Sequence, residues 1–270
     1  MKIQCLIYQC AVLEDITKQR QRLQEPLERY LKEHKDIVVF PELFLSGYFF
    51  DQKSLEDKFH NEEGIFVLGE IAKRHQCYSL GGVITKKGDN FFNSAIVINQ
   101  NAEIQLNYHK THLYSEFRED QYFLPGLEVG KFSLPVKGSS GAEKSIRASV
   151  LVCYDLVMSK RDPSWLEKIK ETKPEIVFVI AQWPRDEEGV EGKGIHSWQI
   201  LNSRLSRETR CPVIAVNRYG PGKDLEKLGN IFFAGHSGVF DYSQSHTSIK
   251  DLCEGEKVLK IEVELLDTSS

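Results

Sequence analysis

Apolar residues in this chain gather in short runs separated by polar stretches, which predicts alternating strands and helices. Strand-like runs cover residues 3–8, 37–40, 78–85, 92–99, 104–108, 146–153, 176–181, 212–217, 231–240 and 257–263. Helical spacing appears between several of them. Ile65, Leu68, Ile71 and Ala72 share one face of a segment that Asn61 is placed to cap. Lys73-Arg74-His75 closes it with positive charge, which complements the helix dipole. Ile195, Trp198, Leu201, Asn202 and Leu205 mark a second helix, with Arg204, Arg207 and Arg210 interleaved. Ile16, Leu23, Leu27 and Leu31 mark a third between Glu14 and His34, where Pro26 is expected to kink or split the helix.

The runs at 78–85 and 92–99 are joined by Lys86-Lys87-Gly88-Asp89-Asn90, whose glycine and asparagine suit a hairpin turn. Residues 137–141 read as a glycine-rich loop. Adjacent strand pairs mixed with strand–helix alternation argue for one α/β domain over residues 1–270 containing mixed sheet.

Composition adds bounds. The chain is 41% hydrophobic and 27% charged, as in an ordinary soluble globular protein. A formal net charge of −4 gives no reason to expect nucleic-acid binding. The six cysteines are scattered without a Cys-x-x-Cys pair, so neither a zinc knuckle nor a thioredoxin-type site is indicated. The apolar opening is too short and too interrupted by glutamine for a signal h-region, and no stretch approaches a membrane span of about twenty apolar residues. The expectation is a reduced, cytoplasmic protein with no nucleic-acid or membrane partner.

Three polar groups end apolar runs: Glu42 in Val38-Val39-Phe40-Pro41-Glu42, Lys110 after Tyr108-His109, and Cys153 after Leu151-Val152. Strand carboxyl ends are where layered α/β folds gather ligand and catalytic groups. A thiol, a carboxylate and an amine supply a nucleophile, a proton carrier and a cation, which suits amide chemistry through a thioester. Lys110 is expected to favour the thiolate and to stabilise an oxyanion, with the Tyr154 N–H as a second donor. Taken singly, Cys153 can equally be a small core hydrophobe, Glu42 a loop carboxylate and Lys110 a solvated strand end. Only their joint placement brings the catalytic reading level.

Other chemistries are weaker. Gly235-His236-Ser237-Gly238 is only loosely like a nucleophile elbow and reads as a β-turn. His109 and His112 share no helical face on which to hold a metal. Phe44, Tyr48, Phe49 and Phe50 can line a pocket or pack the core. No Walker loop or Gly-x-Gly-x-x-Gly indicates a nucleotide cofactor.

These blocks together bring a resemblance. Residues 40–48 (Phe-Pro-Glu-Leu-Phe-Leu-Ser-Gly-Tyr), 108–113 (Tyr-His-Lys-Thr-His-Leu) and 152–155 (Val-Cys-Tyr-Asp) resemble the signature blocks of the nitrilase superfamily of carbon–nitrogen hydrolases, in order and spacing. Ala181-Gln182-Trp183-Pro184, His196-Ser197-Trp198, Val216-Asn217-Arg218-Tyr219-Gly220 and the stretch at 233–239 agree.

The resemblance implies a four-layer α-β-β-α sandwich with two mixed sheets and a Glu42–Lys110–Cys153 triad. Glu119 would assist, with Glu116 as its rival. Tyr48, Trp183 and Arg185 would contact substrate. It also implies no metal or organic cofactor, and a homodimer or larger assembly built on the outer helices.

Tyr154-Asp155 after the cysteine is similar to the amidase side, and the tryptophan blocks to the ω-amidase group, which hydrolyses amides of small dicarboxylates. An arginine expected near position 157 is valine here. The expected activity is hydrolysis of a small linear amide with ammonia release. The alternatives are an N-carbamoyl amine hydrolase or a non-catalytic scaffold or sensor on the same fold.

Overall fold

A computed structural model describes residues 1–13, 15–31, 33, 35–48, 52–59, 62–137, 143–185, 194–222, 231–242, 248–250 and 255–265. The expected cap Asn61, the aromatics Phe49 and Phe50, and most of the expected 137–141 loop lie outside these residues.

The chain opens with β1 (Lys2–Gln9), α1 (Ile16–Tyr30), β2 (Ile37–Val39), α2 (Gln52–Phe59) and α3 (Glu63–His75). Three antiparallel neighbours follow: β3 (Tyr78–Lys87), β4 (Asn90–Ile98) and β5 (Ile104–His109). With the terminal β14 (Lys257–Glu264) they form a mixed sheet ordered β14-β1-β2-β3-β4-β5. The β3–β4 turn is the expected hairpin, with Lys87 opposite Asn90 and Gly88 at φ +61°.

A short 3₁₀ turn (Ser115–Phe117) and α4 (Glu119–Tyr122) lead to the second sheet. Its members are β6 (Gly130–Lys137), β7 (Glu143–Val152), β8 (Ile176–Ala181), β9 (Val213–Asn217), β12 (Gly238–Asp241) and β13 (Ser248–Lys250), in the order β13-β12-β9-β8-β7-β6. Helices α5 (Tyr154–Arg161), α6 (Pro163–Glu171) and α7 (Gly194–Thr209) connect these strands, and β10 (Tyr219–Pro221) pairs with β11 (Phe232–Ala234) as a separate ribbon. β7, β8 and β9 run parallel, and every residue of β8 and β9 is buried, as sheet covered on both faces requires.

Packing follows the alternation of side chains along the strands. Inward positions of the first sheet, namely Ile3, Ile7, Ile37, Val39 and Val97, share one core with Leu134, Ile146, Val150 and Val179 of the second. The opposite faces Leu6, Val38, Phe40 and Ile96 meet Leu23, Leu27, Leu68 and Ile71 of α1 and α3. On the far side Trp165, Ile169, Trp198, Leu201 and Leu205 cover the second sheet. The result is the expected helix–sheet–sheet–helix sandwich.

Several local expectations are corrected. Pro26 stands inside an unbroken α1. A proline cannot donate to the carbonyl four residues earlier, that of Arg22, and the Tyr8 hydroxyl approaches this oxygen at 3.5 Å. The expected strand at 231–240 is two strands in different sheets, separated where Gly235 and His236 take φ of +73° and +56°. The helices α5 and α6 and the strand β6 were not anticipated from the sequence pattern.

Candidate active site

Four side chains converge, three from strand ends of the two sheets and one from α4. Glu42 lies in an elbow after β2, where Gly82 N–H donates to the Pro41 carbonyl and Phe44 N–H to that of Gly82, both at 3.1 Å. Lys110 follows β5 and is anchored through its N–H to Asn93 O at 2.8 Å and its carbonyl to Gly126 N–H at 2.8 Å. Glu119 opens α4. Cys153 ends β7, its N–H on Ile180 O at 2.9 Å, and takes φ 47° and ψ −97° before α5 begins. A non-glycine residue in that region stores about 1–3 kcal/mol of strain, and such residues gather at functional sites.

The ammonium of Lys110 bridges the two carboxylates, at 2.8 Å from Glu42 Oε1 and 2.9 and 2.8 Å from the oxygens of Glu119. All three side chains are essentially sealed from solvent. The same two Oε1 atoms also face the Tyr48 hydroxyl, at 2.9 and 2.8 Å, and the Asn93 amide, at 2.7 and 2.8 Å. Tyr114 N–H fixes Glu119 Oε2 at 2.6 Å, and Gln182 N–H fixes Glu42 Oε2 at 2.9 Å. Buried carboxylates require this density of donors.

Electrostatics sets the resting protonation. Burial disfavours charge on Lys110, but Glu119 and Glu42 outweigh it and hold its pKa above the ordinary value, so the ammonium persists. Burial raises the pKa of Glu119, partly opposed by Lys110. Burial, followed by the Glu42 charge, pushes the Cys153 thiol well above its usual range despite Lys110. Lys110 acts in the expected direction, toward the thiolate, while burial and the two carboxylates oppose it.

The turn after Cys153 is fixed by Asp155, which is fully buried. Its carboxylate accepts from Tyr108 Oη at 2.6 Å, Val152 N–H at 3.0 Å and His112 N–H at 2.9 Å, and contacts His112 Nδ1 at 2.9 Å. His109 goes elsewhere, to Ser94 Oγ and the Phe92 ring, so the two histidines share no ligand. Among the described residues no group of three His, Cys, Asp or Glu side chains is arranged to hold a metal ion. Beside Glu119, Tyr48 and Tyr114 flank Phe117 at 5.1 Å, and Tyr154 meets Tyr114 at 5.0 Å, forming an aromatic wall.

Of the residues singled out in the sequence, Glu42, Lys110, Glu119 and Cys153 come together, and Tyr48 reaches the carboxylates. Glu116 instead accepts from the Tyr114 hydroxyl at an exposed position. Trp183 is buried against Trp198 with its indole N–H on Gly194 O at 2.9 Å. Arg185 is exposed, its guanidinium 5.8 Å from the Phe232 ring. Arg161 donates to the Tyr154 hydroxyl at 3.2 Å. Phe44 packs in the core on Phe40. Sequence reasoning assigned no role to Asn93, and the polar Asn93-Ser94 pair between Phe91-Phe92 and the apolar residues 95–98 was the available signal.

A buried thiol facing paired carboxylates and an ammonium, on an α-β-β-α sandwich, defines a class of amide-cleaving hydrolases. The chain belongs to the carbon–nitrogen hydrolase family, whose profile matches residues 4–261, and is an enzyme of its amidase side. It is 30% identical over 212 residues to 2-oxoglutaramate amidase of Bacillus subtilis (strain 168), covering 77% of this chain and 71% of that protein. An omega-amidase of Saccharomyces cerevisiae (strain ATCC 204508 / S288c) is 26% identical over 260 residues, covering 90% of this chain and 80% of that one. The crystal structure of a carbon–nitrogen hydrolase from Helicobacter pylori G27 superposes with a TM-score of 0.80 at 22% identity, covering 98% and 90%. That likeness establishes the shared fold.

Proposed function

We propose that the chain hydrolyses a small linear amide through a Cys153 thioester, in the manner of an ω-amidase acting on monoamides of dicarboxylic acids. The observation that carries the mechanism is the Lys110 ammonium held between Glu42 and Glu119 at the end of the Cys153 strand. As Cys153 Sγ forms its bond to the carbonyl carbon, Glu42 takes the thiol proton. The oxyanion is met by Lys110 and the Tyr154 N–H at the start of α5. Collapse of the tetrahedral species breaks the C–N bond, and Glu42 returns the proton to the departing ammonia. A water molecule then attacks the thioester with Glu42 as base, releasing acid and restoring the thiol.

Glu119 and Asn93 hold Lys110 and Glu42 in register, and Tyr48 borders the site. The substrate class is supported by the two amidase relatives, and the aromatic wall suits a short carbon chain. The proposal extends to a single-domain enzyme working in the cytoplasm as a homodimer or larger assembly joined through its outer helices.

The test is ammonia release from monoamides of dicarboxylic acids, aliphatic amides and N-carbamoyl amines, with Cys153→Ala as control. Turnover of the first group that disappears in the variant supports the proposal, and turnover of N-carbamoyl amines alone would reassign the substrate. Glu42→Gln and Lys110→Ala should each abolish ammonia release. Near-normal turnover by either would sink these roles.

A further inference from the structure

Gln182 grips Glu42 at both ends. Its main-chain N–H donates to Glu42 Oε2 at 2.9 Å, and its side-chain Nε2 donates to the Glu42 carbonyl at 2.8 Å. The two residues belong to different sheets, since Glu42 follows β2 and Gln182 follows β8. A glutamine amide has two orientations, and the neighbouring groups decide between them. Here the decision is Arg218's. Its Nη1 donates to Gln182 Oε1 at 2.7 Å, and an arginine can only donate. The NH₂ end of Gln182 is therefore turned toward the Glu42 and Leu43 carbonyls, which can only accept.

Arg218 is itself held firmly. Nη2 donates to Pro221 O at 2.7 Å, and the guanidinium lies 4.5 Å from the centre of the Phe233 ring. Only 5% of the residue is exposed. Burial lowers its pKa to about 10, which leaves it charged and a donor at neutral pH. Next door, Asn217 accepts from the Trp183 N–H at 2.7 Å and so fixes the segment that carries Gln182.

We propose that Arg218 and Gln182 form a positioning pair that holds the Glu42 carboxylate, from the opposite sheet, in place for its proton transfers. Neither residue needs to touch substrate for this. The inference rests on Glu42 acting as the base, and the chosen variants separate the two ideas.

Alkylation of Cys153 by iodoacetamide, followed by mass spectrometry at neutral pH, reads proton removal by Glu42 without any amide substrate. Glu42→Gln should slow it by about 10²-fold. Gln182→Glu keeps the shape and a partner for Arg218 but offers only oxygen to the Glu42 carbonyl, and it should slow labelling by at least about tenfold while the protein stays folded by circular dichroism. Arg218→Met should give a similar loss, and Arg218→Lys, which keeps a donor, should recover most of it. With a working amide, kcat should fall by the same factors with KM nearly unchanged.

Folded Gln182→Glu and Arg218→Met proteins that label at the parental rate, beside a slowed Glu42→Gln, would overturn the positioning pair alone. If Gln182→Glu does not fold, the Met and Lys variants of Arg218 decide the matter. An unslowed Glu42→Gln would overturn the base assignment itself, and the pair with it.

Discussion

A methyl group on Gly82 would lie 2.5 Å from the Cα of Glu42 and 2.6 Å from the Leu43 amide nitrogen. The elbow that carries Glu42 is therefore seated on the bare backbone of β3. Gly82→Ala must push it away from Lys110. The expected outcome is a stability loss of about 1–3 kcal/mol in chemical unfolding, of the size found for overpacked cores. Ammonia release should fall by more than about tenfold at temperatures where the variant is fully folded. Parental turnover would mean that the elbow and strand shift together.

Asp155 should matter without touching substrate. Asn in its place turns one of the acceptor positions into a donor that faces the Tyr108 hydroxyl or the amides of Val152 and His112. An opposed buried donor costs about 1–3 kcal/mol. The turn presenting Cys153 should loosen, so Asp155→Asn should lose both thermal stability and kcat, whereas Asp162→Asn, at the exposed cap of α6, should cost little kcat.

The raised thiol pKa has a kinetic signature. If Glu42 takes the thiol proton as the new bond forms, no prior ionisation of the raised thiol is needed, and alkylation of Cys153 should be nearly flat between about pH 6.5 and 8.5. The same peptide in the unfolded protein should react about tenfold faster per pH unit until its pKa near 8.5. A folded-state profile as steep as the unfolded one would show that the thiol must ionise to solvent before it reacts, and would overturn proton removal by Glu42.

Alkali should weaken the fold. Burial raises Cys10, Cys77 and Cys211 from 9.0 to about 12. As pH rises through 9 the unfolded chain loses these protons first, so the stability they lend is complete below 9 and is lost by 12. Each fully discriminating thiol contributes a slope of about 1.36 kcal/mol per pH unit. Urea unfolding at a series of alkaline pH values should show a shallower decline in Cys77→Ala than in the parent. Equal slopes would show that this thiol ionises as easily in the native state.

Much of this was legible in the chain. β8 and β9 are buried on both faces and appear as unbroken apolar runs, and the polar residues that end such runs are the ones that meet in space. The sheet edge was harder to read. β6 alternates inward and outward correctly, but Pro135 within it argues against a central strand, and β6 is in fact an edge where a missing N–H is tolerated. In α5 the buried set includes Asp155 and Ser159, whose side chains are satisfied inside, and this blurs the amphipathic pattern. Glu116 and Glu119 lie in a segment without periodicity. The distinction between them comes from a long-range fit, in which the Lys110 ammonium and the Tyr114 amide both reach Glu119. Trp183 was expected at the substrate, but its large ring packs on Trp198 and its N–H is tied to Gly194.

Glu42 and Lys110 stand at strand ends of one sheet and the thiol at a strand end of the other. A chain that has formed either sheet alone carries a bare thiol or an idle salt-bridged cluster, and neither can cleave an amide. On the proposed mechanism, hydrolysis waits on the docking of the two sheets, and a copy in which they have not met should leave amides untouched. Regain of turnover during refolding should then time the docking of the two sheets.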